Sequence, residues 1–389
     1  MTLRIEVEPD VLAWARERSG LDAEVFAKRC PHYDSWLTGE SRPTLRQIQE
    51  FAKKTYTPVG FLFLPEPPVE TVPIPDFRTV ADRGVGADPH AAVGADLLDT
   101  VYVAQARQEW FRDSQLLNGE DPLDFVAKLT LTTPVEQAAD EMRQALGWYR
   151  EQRQTASWDG ALRLLRERAE TIGVLVSITG MVGANTRRKL DPGNFRGFAL
   201  VDSYAPLVFV NGADSKAAQI FTLAHELAHI WLGQSALSDV DPISAREYDT
   251  ERWCNQVAAE LLVPMAEFRR AFDPDTDLRS QLEPLAAQFR VSTQVILGQI
   301  REAGWIDWNQ FLDELQAERE RIASLVVEGE GGGGGNYYNS RPVQIGKRFA
   351  RQVIVSALEG HTTYKEAFSL LGIRKTSTFE GLGRQLGVM

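Results

Sequence analysis

The chain has 389 residues, 43% hydrophobic and 25% charged, enough for two or three domains with real cores. Its 42 Lys and Arg against 54 Asp and Glu give a formal charge of −12, which excludes a generally basic nucleic-acid coat. No apolar run is long enough to span a membrane, the opening MTLRIEVEPD has no apolar signal core, and two cysteines, Cys30 and Cys254, make neither a disulfide framework nor a four-cysteine zinc site. A cytoplasmic protein with no membrane partner is expected.

Residues 1–64 read as short helices separated by tight turns, with Gly20 and Gly39 as stops and Asp22 and Thr44 as N-caps. A proline-rich strip, LPEPPVETVPIPDF (64–77), cannot be helix and reads as the start of a stiff linker over 65–94. Residues 95–117 and 133–149 have helical spacing, giving a helical connector over 95–150.

A second pattern occupies 151–310. It opens with an amphipathic helix from Trp158 and a short buried strand, VLVSITG (174–180). FRGFALVD (195–202) and APLVFVN (205–211) read as two strands joined by a turn. They are either an edge that holds an extended peptide or ordinary sheet core, and the second reading is preferred. Helices follow over 215–233, 244–264, 278–289 and 292–303. Residues 311–335 read as a linker with a glycine-rich hinge, GEGGGGG. The tail, 336–389, carries eight Lys or Arg and three Glu and reads as a small domain of amphipathic helices with solvated charges.

The helix 215–233 contains His225-Glu226-Leu227-Ala228-His229, an HExxH motif. Residues four apart share a helix face, so both imidazoles can grip one metal ion. At about 100° per residue from His225, His229, Thr222 and Glu226 fall within about 100°, and apolar side chains fill the rest. This is a buried helix with one narrow polar arc on a cleft. Two histidines and one glutamate suit Zn²⁺, with a fourth position left for water.

The third ligand is sought on the next helix, among Glu247, Asp249, Glu251 and Glu260. Val257, Leu261, Cys254, Ala258 and Leu262 define its buried arc, which includes Glu251 and Glu247 and leaves out Glu260 and Asp249. A carboxylate on a buried arc needs a partner, and a metal is a good one. Glu226, set beside this pair, is placed to act as general base, taking a proton from water and passing it to the leaving amine. Both cysteines are expected to be buried, inert thiols.

The segments FTLAHELAHIWLG and ERWCNQVAAELLVP resemble the ImmA/IrrE family of zinc metallo-endopeptidases. The second is similar to the family's E-x-x-A-N-x-F-A-A-x-L-L-x-P, with Cys254 in place of alanine and Val257 in place of phenylalanine. The glutamate opening that motif falls on Glu251, so the resemblance favours Glu251 over Glu247. It implies an α+β fold: a zincin-like, gluzincin-type metallopeptidase domain whose HExxH helix packs on a small sheet. It implies one zinc per chain on His225, His229 and Glu251, with Glu226 catalytic. It also implies a narrow-specificity protease acting on a helix-turn-helix repressor or a toxin–antitoxin partner, in stress response or mobile-element regulation.

SWLTGESRPTL (35–45) is similar to a motif of Xre-type helix-turn-helix domains, with Leu37 where glutamate is usual. The resemblance implies an all-helical N-terminal domain and a candidate DNA surface of His32, Tyr33, Ser35 and Arg42. Residues 1–70 hold nine basic and eleven acidic side chains, a poor endowment for phosphate contacts. The alternative function is a DNA-binding regulator or antitoxin that holds a partner without cutting it. Glu226 discriminates the two, because a structural metal site has no use for a base.

Overall fold

A computed structural model describes residues 4–75, 94–149, 157–238, 249–326 and 337–389. The chain divides into two compact units, residues 1–73 with 80–103, and residues 74–79 with 104–389. No helix among the described residues is long and apolar enough to cross a membrane.

The first unit opens with α1 (Pro9–Arg18), α2 (Ala23–Arg29), α3 (Tyr33–Leu37) and α4 (Leu45–Lys54). Asp22 accepts from the Glu24 and Val25 amides, and Thr44 forms a capping box with Gln47, as the sequence anticipates. Gly20 and Gly39 take the left-handed conformation that ends a helical turn (φ +60° and +76°). Val11, Leu12, Trp14, Phe26, Ile48 and Phe51 form the core of this unit. Arg18 is also buried and pairs with Glu70 at 2.5 Å.

The second unit is built on a four-stranded sheet of order β1-β3-β2-β4. The strands are β1 (Leu175–Thr179), β2 (Gly197–Leu200), β3 (Leu207–Asn211) and β4 (Ala236–Ser238). β1 runs parallel to β3, and β2 is antiparallel to both β3 and β4. β2 and β3 therefore lie inside the sheet, and residues 195–211 are core rather than a peptide-binding edge. β1, β2 and β3 are buried along their whole length, and the Phe198 and Phe209 rings stack across a register pair at 4.9 Å.

The remaining α-helices follow in chain order. They are α5 (Ala95–Leu117), α6 (Val135–Leu146), α7 (Trp158–Thr171), α8 (Lys216–Leu232) and α9 (Asp249–Leu262). After them come α10 (Met265–Ala271), α11 (Leu278–Phe289), α12 (Thr293–Glu302) and α13 (Trp308–Val326). The last four are α14 (Tyr337–Ile345), α15 (Lys347–Leu358), α16 (Tyr364–Leu371) and α17 (Thr376–Gln385).

Three expectations change. Residues from 311, expected as linker, continue α13, because Phe311 and Leu315 sit one turn apart in the core. The helical connector supplies Phe125, Leu129, Met142 and Trp148 to the same core as α8 and α9, so from residue 104 onward it is part of this unit, while residues 95–103 cluster with the first. The basic tail is not wholly solvated: Arg341 is 1% exposed and donates to the Leu371 and Gly183 carbonyls. Cys30 and Cys254 are both buried, and burial raises the Cys30 thiol.

Candidate metal centre

α8 carries the HExxH residues through the middle of the second unit. Ser215 caps its start by accepting from the Ala218 amide. Gly233 ends it in the left-handed conformation (φ +77°), where a Cβ would meet the Ala127 Cβ at 2.5 Å. Two carbonyls of its last turn accept from the connector: Ile230 O from the Ala127 amide, in addition to the helix's own Gly233 amide, and Trp231 O from the Leu129 amide. Every residue from Gln219 to Leu232 is buried. So enclosed a helix must satisfy its polar side chains internally.

α9 packs against α8 and is pinned from the connector side. The Trp253 indole donates to Thr133 O at 3.0 Å, and Arg143 donates to Glu260 O at 2.9 Å. This places Glu251 opposite the histidine pair. His225 Nε2 lies 3.1 Å from His229 Nε2, and the two nitrogens lie 3.2 and 3.1 Å from the two Glu251 oxygens. Tetrahedral zinc ligands with bonds near 2.0–2.1 Å have donor atoms about 3.3 Å apart. The three donors thus fit one ion between them, and they are a candidate metal-holding group among the described residues. His225 and His229 are 0% exposed and Glu251 4%.

The electrostatics follow from that burial. Burial would raise the Glu251 carboxyl, but hydrogen bonds and charge interactions with both histidines outweigh it and hold the group well below the usual carboxylate range. Burial lowers His229, opposed by Glu251 and reinforced by His225. Both effects favour an anionic carboxylate and neutral imidazoles, the forms that ligate a cation.

The other sequence candidates separate clearly. Asp249 is exposed on the far side of α9, and Glu260 accepts from the Met265 amide at the start of α10. Glu247 lies outside the described residues. Glu226 is fully buried beside the ligands on α8. Its neighbour Gly197 on β2 is a close contact that the sequence reading missed, although an isolated glycine within a strand signals a close approach.

In the first unit, the candidate DNA surface loses Tyr33. Its side chain is 4% exposed, edge-on to Phe26 and stacked on Phe51, so it is core and cannot reach a base. His32 is exposed, Ser35 Oγ is engaged with His32 O and Ser41 Oγ, and Arg42 pairs with Glu6 at 2.9 Å. The helix that would enter a groove is only α3, Tyr33–Leu37.

A buried two-histidine, one-glutamate group under a small mixed sheet suggests a metallopeptidase of the IrrE/ImmA type. In agreement, residues 169–300 match the peptidase M78 family model, described as the IrrE N-terminal-like domain. Residues 345–385 match a domain of unknown function. No curated protein matches the chain.

Proposed function

We propose that this protein is a cytoplasmic zinc-dependent endopeptidase that hydrolyses one specific protein substrate. The substrate class is a helix-turn-helix transcriptional repressor or a toxin–antitoxin partner, cleaved in stress response or mobile-element regulation. The observation that carries the reading is the convergence of His225 Nε2, His229 Nε2 and the Glu251 carboxylate, with Glu226 one position from the first ligand.

A zinc ion held by these three residues would supply Lewis acidity, polarising the scissile carbonyl and making water a better nucleophile near neutral pH. Glu226 then accepts the proton of the attacking water and delivers it to the departing amide nitrogen. His225, His229 and Glu251 hold a fixed frame on two packed helices, so the base and the reacting carbonyl meet without reorganisation. The N-terminal helices would serve substrate selection, with a DNA role resting on His32, Ser35 and Arg42.

The test is metal content by mass spectrometry on wild type, Glu226→Gln and His229→Ala. About one zinc per chain is expected in the first two and a large loss in the third. Glu226→Gln then becomes the trap for an uncut substrate from a host lysate. No zinc in wild type, or full zinc in His229→Ala, overturns the reading.

A further inference from the structure

Both edges of the sheet are covered by the chain itself. At the β1 edge, Ser177 Oγ donates to Gln344 O at the end of α14. At the β4 edge, the Leu237 amide donates 2.8 Å to Pro75 O, in the proline-rich strip. Ile74 is 8% exposed, and both residues cluster with the second unit although Pro73 clusters with the first.

The β4 edge is the one beside the candidate centre. Ser238 is in register with Gly197, and a Cβ on Gly197 would lie 3.0 Å from Glu226 Oε1. Leu237 is in register with Phe198 and turns its N–H away from β2 toward Pro75. An extended polypeptide at that position would exchange two hydrogen bonds with Leu237, accepting from its N–H and donating to its C=O. Pro75 has no N–H and can only accept. Among the described residues, the chain therefore occupies this edge with a residue that makes half the bonding an ordinary peptide would make.

We infer that the Ile74–Pro75 segment is an internal competitor for the substrate strand. It covers the peptide-binding edge of β4 at rest and yields to an extended polypeptide able to donate back to Leu237. This rests on the peptidase reading and adds the substrate's binding mode and its restraint. Proline at the contact makes the strap weaker than its competitor, and an edge closed this way is protected from adventitious strand pairing.

The test uses the full-length, zinc-loaded Glu226→Gln chain, with fluorescein-labelled β-casein as a disordered polypeptide probe. Ile74→Asp places a charge on a buried side chain and should release the strap. Exchange of the Leu237 amide should quicken, and casein binding by anisotropy should tighten about fivefold, the equivalent of one strand hydrogen bond. Pro75→Ala supplies the missing donor, so exchange should slow and casein binding weaken by about the same factor.

Faster Leu237 exchange with unchanged, weaker or no casein binding overturns the inference and leaves the segment as a permanent edge cover. If Ile74→Asp does not fold, Pro75→Ala decides: unchanged casein affinity overturns it. Zinc bound, with casein affinity insensitive to both substitutions, sinks the strap alone. A chain that binds no zinc sinks the peptidase reading and the strap with it.

Discussion

Gly197 lies directly against Glu226. A Cβ at Gly197 would sit 3.0 Å from Glu226 Oε1, 2.9 Å from Phe209 O and 2.5 Å from Thr222 Cγ2. The absence of a side chain on β2 is what lets the Glu226 carboxylate stand between sheet and helix. A methyl group must push aside a backbone carbonyl, the base or the threonine beside it. Gly197→Ala is expected to keep its zinc, lose on the order of 1–3 kcal/mol of stability from overpacking, and fall at least about tenfold in turnover of the substrate recovered by the trap. Zinc content, denaturant melts and turnover on the same samples check this. Wild-type turnover with unchanged stability would show that Gly197 does not position Glu226.

Glu251 and Asp249 begin the same helix and differ only in which side they face. Glu251→Ala should lower zinc affinity by more than about 100-fold, since changes one shell further out already cost 10–100-fold. Asp249→Ala should leave affinity alone, because its carboxylate is exposed and, among the described residues, pairs with Arg252. Competition titration with a zinc-binding dye reads both. Equal loss in the two variants would mean that burial on α9 does not define the ligand.

Glu260 should give the protein a pH-dependent stability. Burial pushes its carboxyl up to about 7, against the Met265 amide and Arg143, which lower it, with Glu136 and Asp140 adding to the rise. The folded value exceeds the unfolded one, so the contribution is fully present below about pH 4.5 and is lost as pH rises through about 7. Urea melts between pH 5 and 8 should show wild type losing on the order of 1–3 kcal/mol that Glu260→Gln does not lose. Parallel pH profiles for the two proteins would count against it.

The C-terminal helices are fastened by a carboxylate from α7. Gly346, at the start of α15, offers no side-chain cap, and Glu170 accepts from the Lys347 amide at 2.8 Å in its place. Lys347 Nζ also reaches Glu167 at 2.9 Å. Glu170→Ala leaves that amide without its acceptor and is expected to cost about 1–3 kcal/mol. Limited proteolysis should then release the segment after residue 336 faster than in wild type, and an unchanged digestion rate would contradict the capping role.

The candidate metal site was legible because its signals are periodic. His225, Glu226 and His229 stand out on one arc of an otherwise apolar helix, and Glu251 stands out as a carboxylate among Cys254, Val257 and Leu261. What escaped was short or spoke through the backbone. β4 has three residues, too few to show alternation. The Pro75 contact is made by a carbonyl, which leaves no side-chain signature. Tyr33 was misassigned because an aromatic inside a short polar helix looks like a contact residue until its ring partners are known. α13 was hidden by its glutamates and arginines, although Phe311 and Leu315 already had helical spacing.

The loop that closes α8 sets the size of the smallest working piece. Ala127 and Leu129 terminate the helix that bears both histidines, yet they lie some forty residues before the stretch the family model recognises. A fragment cut to residues 169–300 would keep His225, His229 and Glu251. It would also remove the connector amides that donate to Ile230 O and Trp231 O, and bare the core faces that Phe125, Met142 and Trp148 cover. Transplanting the chemistry into another scaffold therefore means carrying the connector along. In this chain the module that carries the candidate metal site is delimited by hydrogen bonding, and its margin lies well upstream of the shared sequence.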